Sequence, residues 1–341
     1  MPWAESKGTP LGTSFLEISL FVVPNLRIRR QYAVYYSDFW SADGVTLPSK
    51  RHCSVILIWQ SGSFTMNALR HHYPEYLIEA TGLGLLMIAA SLVTAIFEHP
   101  ASPIHQAIPD PLLRRFLIGI GMGLTVISII YSPWGKQSGA HINPVVTLTF
   151  FRLGKVKPID AFFYIAAQFV GGLLGMVLAV NLLGDAIVHP SVNYIVTVPG
   201  GPGVVIAFFA EFMISFGIMM MILLVSNISK LARFTGLFAG ILITLYITLE
   251  APLSGMSMNP ARTLASAIPA QNWTAIWVYF TAPLLGMLFA SEVYVRLQGQ
   301  EAVRCAKLHH QNNKRCIFRC NYSHPKGFDL SDPLPRKGRY S

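Results

Sequence analysis

Two short tripeptides constrain this chain more than any other feature: Asn143-Pro144-Val145 and Asn259-Pro260-Ala261. They lie 116 positions apart (259 − 143), and each follows a short approach that begins Ser-Gly within an apolar stretch. Asn is a strong helix N-cap and proline is favoured in the first helical turn, so each tripeptide predicts the start of a helix. Inside a membrane, irregular backbone is tolerated only where it is buried in protein or lines a watery cavity. Two such helix starts therefore indicate a pore.

The composition is that of a membrane protein. Hydrophobic residues make up 52% of the 341 positions and charged residues only 12%, about half the charged fraction of a soluble domain. The helices that the two tripeptides start, 143–152 and 259–268, are too short to cross a bilayer of roughly 30 Å. We therefore predict an all-α membrane protein with six membrane-spanning helices and two re-entrant half-helices. The six predicted spans are 76–97, 113–132, 159–183, 204–226, 234–250 and 273–297.

The two halves of the chain resemble each other. Glu79 in the first span corresponds to Glu211 in the fourth, and Asn143 corresponds to Asn259. Because each repeat contains three spans, an odd number, the second repeat must enter the membrane inverted relative to the first. An inverted repeat brings the two half-helices in from opposite faces to meet near the midplane. The predicted channel domain, 75–298, consists of the repeats 75–184 and 204–298.

The segments outside the repeats are predicted to be cytoplasmic. Residues 1–74 are expected to form a poorly ordered extension and residues 299–341 a disordered basic tail. Lys and Arg collect in the link 227–233, in the tail and after the first half-helix, whereas the connections 98–111 and 184–203 contain neither. Loops rich in Lys and Arg stay on the cytoplasmic side. We therefore expect a multi-pass protein of the cell membrane with both termini in the cytoplasm.

The polar groups of the tripeptides predict that the pore holds water and excludes protons and cations. Asn143 and Asn259 can each offer a side-chain N–H to the lumen, and the half-helix N-termini add a positive potential there. Water held by both amides points its hydrogens away along the channel, which interrupts proton transfer, and the same potential repels small cations. Arg262 directly follows the second tripeptide. A charged residue at that depth is expected to face the interior, where it adds to cation exclusion.

Glu79 and Glu211, each in an otherwise apolar helix, allow two interpretations. They are either proton-coupling groups of a transporter or acceptors for backbone N–H groups in the polar approaches to the tripeptides. We favour the second, because each approach is rich in Gly and Ser and has donors that need partners. A proton-coupled transporter is the alternative function from another class. His141, beside Asn143, is interpreted as a loop residue bonded to backbone rather than as a gating group.

The remaining residues argue against other functions. The net charge is +10, but the basic residues form no stripe on a folded domain, so nucleic acid is not an expected partner. The spans contain no nucleophile–base pair, so we predict neither an enzyme nor a cofactor. The tail contains Cys316-x3-Cys320-x3-His324, with His309 and His310 upstream. Because this spacing matches no strong zinc pattern, we predict no metal site.

These motifs resemble those of the aquaporin, or major intrinsic protein, family. The resemblance covers residues 75–296 and rests on the octapeptides 138–145 and 255–262 together with the repeated Glu positions. It implies a six-helix bundle that forms a homotetramer in membrane lipid, with one pore per subunit. It also implies passive conduction of water or small neutral solutes, and it places Arg262 in a narrow selectivity filter.

Counting within the family's pattern places the other filter positions at Ile247, Met256 and Met122 or Gly123. Such a filter would set one Arg against a mostly apolar wall. Water-selective members typically carry His at the Ile247 position, and its loss argues against strict water selectivity.

Two further departures bear on the solute. Thr263 occupies the position where glycerol-conducting relatives usually place Asp, which favours a water channel. Val145 replaces the usual Ala of the first tripeptide, and we expect it to enlarge the side chain beside the midplane constriction. A channel mainly for glycerol, urea, ammonia or a similar small uncharged solute is the alternative.

Overall fold

The computed structural model describes the backbone of residues 51–322 and the side chains of residues 68–322. The order expected of the chain before residue 51 and after residue 322 lies outside the described residues. Contacts divide the chain after Leu57, within the first helix, and all other described features belong to the second unit, Ile58–Ser341.

The described chain contains eight principal helices, six of which are long and apolar enough to cross a membrane. These six are α1 (Arg51–Glu98), α2 (Pro111–Tyr131), α4 (Pro158–Leu183), α5 (Val204–Ser226), α6 (Thr235–Leu249) and α8 (Ile276–Gln298). The half-helices are α3 (Pro144–Arg152) and α7 (Pro260–Ala270). Short helical segments occur at Pro103–Ala107, Pro133–Ser138, Asp185–Val188, Asn193–Ile195, Ala232–Phe234, Ala251–Ser254 and Gln300–Ala302. The predicted fold class is confirmed.

The half-helices begin where the tripeptides predict. Asn143 has an extended backbone and its Oδ1 accepts from the backbone N–H of Val145 at 2.9 Å. Asn259 caps α7 in the same way, through the N–H of Ala261 at 3.1 Å. At 1.5 Å per residue the two half-helices are about 14 and 16 Å long, so placed end to end they match the roughly 30 Å of the hydrocarbon core.

Glycines allow close helix contacts at matching places in the two repeats. A Cβ on Gly171 of α4 would lie 2.1 Å from the Ala80 carbonyl of α1, and one on Gly286 of α8 would lie 2.4 Å from the Phe212 carbonyl of α5. Small residues at such contacts let membrane helices approach backbone to backbone. The first and third spans of each repeat therefore pack in the same manner.

The chain after α8 differs from the prediction of a disordered tail. Residues 299–322 form an irregular loop that packs on the helical domain, with apolar side chains such as Val303 and Phe318 buried. The Arg319 N–H donates to the Lys155 carbonyl at 2.9 Å, which fixes the loop beside the end of α3. The prediction was wrong here because the many basic residues of the tail concealed apolar positions that the fold buries.

The first helix begins before the predicted first span. α1 starts at Arg51, whereas the span was predicted to begin at residue 76. Pro74 lies inside this helix and does not end it. α1 therefore continues without a break through the predicted boundary of the span.

Candidate functional site

The tips of the two half-helices are joined by reciprocal hydrogen bonds. Asn143 Nδ2 donates to the Met258 carbonyl at 2.8 Å, and Asn259 Nδ2 donates to the Ile142 carbonyl at 2.8 Å. An amide nitrogen carries two hydrogens, so each Asn keeps one further N–H. The structure therefore brings the two Asn side chains together, as expected from an inverted repeat.

Glu79 holds the loop that leads to the first half-helix. Its Oε1 accepts from the Ser138 hydroxyl at 2.8 Å and the His141 N–H at 3.0 Å. Its Oε2 accepts from the Ile142 N–H at 2.6 Å and the Gln168 amide at 2.8 Å. Four donors satisfy a fully buried carboxylate, which is the geometry expected of a group that fixes backbone.

Glu211 holds the second loop in the same way. Its Oε1 accepts from the Ser254 hydroxyl at 2.8 Å and the Ser257 N–H at 2.6 Å, and its Oε2 accepts from the Met258 N–H at 2.8 Å. The side chain is fully buried. Both carboxylates thus bind the backbone donors that the Gly- and Ser-rich approaches leave unpaired.

Two tyrosines that the sequence analysis did not single out complete this support. The Tyr164 hydroxyl donates to the Ser138 carbonyl at 2.8 Å, and the Tyr279 hydroxyl donates to the Ser254 carbonyl at 2.6 Å. Both tyrosines are fully buried. The signal was present in the sequence, because the alignment of the two repeats that pairs Gly171 with Gly286 also pairs these tyrosines.

The backbone of both loops is held in an uncommon conformation. Ala140 and Ile142 have φ angles of 55° and 41°, and Met256 and Met258 have φ angles of 52° and 53°. Residues other than glycine seldom adopt positive φ, and such strain persists only where the surroundings impose it. The hydrogen bonds to Glu79 and Glu211 are the surroundings that impose it here.

A cavity of about 540 Å³ passes the meeting point of the half-helices. Its wall includes both Asn side chains and the four predicted filter residues Met122, Ile247, Met256 and Arg262. Gly123, the other position considered, packs against α6, where a Cβ would lie 2.5 Å from Thr244 Oγ1. Of the two positions considered on α2, the structure therefore places Met122 at the wall.

The tripeptide residues other than Asn pack within the protein. Pro144, Val145, Pro260 and Ala261 are all buried. Val145, expected to enlarge the side chain beside the midplane constriction, is 1% exposed and packs in the apolar core. Its neighbour Val146 contributes to the cavity wall instead.

Arg262 lines the cavity and carries a buried donor without a partner in the described chain. Its Nη1 is buried and has no hydrogen-bond partner among the described residues. A buried N–H without a partner is costly, so an oxygen atom that enters the cavity is stabilised beside it. Arg262 is therefore suited to bind passing molecules.

The tail reaches one end of this cavity. Leu308 forms part of the wall, and its N–H donates to the Gly139 carbonyl at 3.2 Å. The Ala306 carbonyl lies 2.8 Å from His141 Nε2, and the His141 ring stacks on Phe318 with centroids 5.3 Å apart. The interpretation of His141 as a residue bonded to backbone agrees with these contacts.

An ion pair fixes the same loop to α1. Arg315 Nε donates to Glu75 Oε1 at 2.7 Å, and Arg315 Nη2 donates to the His71 carbonyl at 2.6 Å. Hydrogen bonding to the Glu75 carboxylate raises the pKa of Arg315 above its ordinary value. Arg315 therefore stays charged at any physiological pH.

Comparisons with known proteins agree with this geometry. A sequence model of the family described as major intrinsic protein matches residues 68–294. Aquaporin NIP2-2 of Zea mays is 35% identical over 181 residues, which is 53% of this chain and 59% of that protein. Aquaporin NIP6-1 of Arabidopsis thaliana is 39% identical over 173 residues, which is 50% of this chain and 54% of that protein. The matches thus span between half and two thirds of these relatives.

A solved structure shares the fold. The X-ray structure of the aquaglyceroporin from Plasmodium falciparum matches with a TM-score of 0.57 and 22% identity, covering 68% of this chain and 98% of that chain. At that identity the likeness concerns the fold alone. The family match, which covers about two thirds of the sequence, decides the classification. The chain belongs to the major intrinsic protein (aquaporin) family of multi-pass membrane proteins.

Proposed function

We propose that this protein is a passive channel for water and small uncharged solutes that excludes protons and ions. The observation that carries the proposal is the pair of Asn amides on the cavity wall, each with one N–H not used by the opposite loop. Two helix N-termini meet at the same point and add positive potential. An oxygen atom of a permeating molecule can accept from both amides, whereas the positive potential of the helix N-termini repels a cation.

The filter supports solutes somewhat larger than water. Met122, Ile247 and Met256 offer apolar surface on the cavity wall, and Arg262 offers a donor. A molecule such as glycerol or urea has hydroxyl or carbonyl oxygens for the donor and carbon atoms for the apolar wall. We therefore infer that water passes together with solutes of this class.

The proton-coupled transporter is disfavoured by the contacts of its two candidate groups. Glu79 accepts four hydrogen bonds and Glu211 accepts three, and both lie outside the cavity wall in the described chain. A coupling carboxylate must exchange a proton with the transport path. Solute flux that stops when the proton gradient is removed would support the transporter interpretation and contradict the channel.

The expected assembly follows the family resemblance, and the expected orientation follows the distribution of positive charges. We expect a homotetramer in the lipid bilayer, and we expect both termini in the cytoplasm of a cell whose plasma membrane holds the protein. The loop after α3 and the link 227–233 carry the positive charges on which this orientation rests.

Permeation through the full chain in proteoliposomes tests the proposal. Light scattering during stopped-flow mixing should show faster osmotic shrinkage than in protein-free vesicles, followed by re-swelling as glycerol or urea enters. The absence of both effects would remove the proposal. Ammonia entry, followed with an internal pH dye, completes the solute comparison.

A filter variant sharpens the result. Ile247→His places a hydrogen-bonding ring on the wall opposite the donor, so we expect glycerol permeability to fall several-fold relative to water permeability. Ile247→Val, which keeps the wall apolar, is the matched control and should leave this ratio close to that of the unmodified protein. An unchanged ratio in both variants would mean that Ile247 is not part of the filter.

A further inference from the structure

The packed tail gathers four metal-binding side chains that all lie between positions 305 and 320. They are Cys305, His310, Cys316 and Cys320, whose ligand atoms all lie within 4.8 Å of one another. Cys305 Sγ is 3.5 Å from Cys316 Sγ, and Cys320 Sγ is 3.0 Å from His310 Nε2. The spacing considered in the sequence used His324, which lies outside the described residues, so this set was not anticipated.

The distances fit a tetrahedral metal ion. With metal–sulfur bonds near 2.3 Å and metal–nitrogen bonds near 2.0 Å, neighbouring ligand atoms of a tetrahedral zinc site lie about 3.5–3.8 Å apart. Three thiolates and one imidazole are one of the usual ligand sets of structural zinc, and soft sulfur ligands select against Mg²⁺ and Ca²⁺. Small movements of the four side chains would complete this geometry.

The charges near the cluster fit the same ligand set. Three thiolates around a divalent cation carry a net charge of about −1. Lys307 is 2% exposed and interacts electrostatically with all three cysteines. Its ammonium group donates to the Arg315 carbonyl at 2.6 Å, which holds it in place. The Lys307 amine lies close enough to the cysteines to offset the negative charge of the occupied site when it is protonated.

A neighbouring ring orients the imidazole. Tyr322 stacks on His310 with centroids 4.3 Å apart and ring planes 11° from parallel. The Tyr322 hydroxyl donates to the carbonyl of Ser226 at the end of α5 at 2.9 Å. The ring of His310 is thereby fixed relative to the membrane helices, as the ligands of metal sites usually are.

The loop needs a cross-link of this kind. Residues 303–322 contain no helix or strand in the described chain, yet Val303, Cys305 and Ala306 are almost fully buried. Long irregular segments in compact domains have a high entropy cost of ordering. A metal ion that joins residues 305 and 320 would offset that cost by closing the loop.

We propose that Cys305, His310, Cys316 and Cys320 bind one zinc-class divalent cation, and that this ion fastens the tail loop as a cap on the pore mouth. The cap reaches the pore through two neighbouring residues: Ala306 bonds to His141, and Leu308 forms part of the cavity wall. The second half of the proposal rests on the proposed channel function, whereas the first half does not.

Metal content tests the first half without any transport measurement. The full chain, purified under reducing conditions without chelator, should contain about one zinc ion per chain by elemental analysis. His310→Gln and Cys320→Ser should lose most of this metal, whereas His309→Gln, the same change one position away, should retain it. Chelated protein reloaded with Co²⁺ alone should show the visible absorption of tetrahedral cobalt thiolate.

Specific outcomes would overturn this half. One is a metal-free protein that takes up neither Zn²⁺ nor Co²⁺. Others are iron with acid-labile sulfide, a Cys305–Cys316 disulfide in the reduced preparation, or equal metal in the His310 and His309 variants. Circular dichroism of the variants establishes that the membrane helices are intact, so that metal loss is not a result of unfolding.

Proteolysis and permeation test the cap. Removal of zinc should expose the basic tail loop to trypsin, and zinc alone should restore protection. Removal of zinc should also raise solute permeability several-fold, because Leu308 leaves the cavity wall. Unchanged protection and permeability in a protein shown to bind zinc would overturn the cap. A protein that binds zinc but conducts nothing in either state would instead remove the proposed channel function.

Discussion

The two re-entrant loops are built alike, but they differ in what surrounds them. In each, a buried glutamate binds a serine hydroxyl and two backbone N–H groups, and a tyrosine hydroxyl binds the serine carbonyl. The first loop has an additional donor, Gln168, where the repeat alignment places Pro283 in the second. The second loop leads to Arg262, whose Nη1 has no partner in the described chain.

This difference separates the residues that fix the loops from the residue suited to select solutes. The first loop is fixed from three sides, by Glu79, by Gln168 and by the tail through His141. The second loop leads to a charged side chain that lines the cavity and whose Nη1 has no partner in the described chain. The two loops have the same geometry at the midplane, but they differ in role. The first loop is the more firmly fixed, and the second carries the residue suited to solute recognition.

Replacing the two glutamates gives the largest expected effect. Glu79→Gln should destabilise the protein by about 3–5 kcal/mol, because the new NH₂ group faces two donors, the Ile142 N–H and Gln168. Glu211→Gln should destabilise the protein by about 2–3 kcal/mol, since its new NH₂ group faces only one donor, the Met258 N–H. Unfolding of the full chain in detergent micelles, followed by circular dichroism, measures both. Equal losses would contradict the asymmetry between the loops.

Removing the free cation should change selectivity more than stability. Arg262→Ala should raise the ratio of glycerol to water permeability about tenfold, or about 1.4 kcal/mol, because a bulky donor leaves the filter. Stability should change little, since Nη1 has no protein partner in the described chain. Arg262→Lys, which keeps the charge, is the matched control. Stopped-flow measurements on both variants decide the matter, and a large loss of stability in Arg262→Ala would show that the guanidinium supports the loop.

The smallest expected effect tests what the loops share. Tyr164→Phe and Tyr279→Phe each remove one hydrogen bond to a serine carbonyl, and each should cost about 1 kcal/mol. The two values should agree within the error of thermal unfolding in micelles. A clear difference between them would mean that the repeats are less alike than their geometry indicates.

Much of the fold was predictable because membrane burial leaves strong patterns. Six apolar stretches of spanning length and two Asn-Pro helix starts specify the spans and half-helices. The repeat pairing of Glu79 with Glu211 predicted their common role as acceptors. These features are local or repeated, so one sequence was sufficient to find them.

Other features depend on contacts that no local pattern contains. The ion pair that anchors the tail joins Glu75 to Arg315, 240 positions away. The position of Val145 depends on the rotation of a half-helix about its axis, which the tripeptide alone does not specify. The metal-ligand cluster depends on an irregular loop whose course the spacing of its cysteines does not reveal.

The crossed amide bonds at the midplane have a consequence for biosynthesis. The Ile142 carbonyl obtains its donor from Asn259, and the Met258 carbonyl obtains its donor from Asn143. During translation the first loop enters the bilayer more than a hundred residues before the second. Until the second loop arrives, the Ile142 carbonyl and the Asn143 amide have no partners from it. The reciprocal hydrogen bonds at the midplane can therefore form only after the final third of the chain has been inserted. Two halves expressed as separate polypeptides would have to associate in the membrane before either loop could reach its final structure.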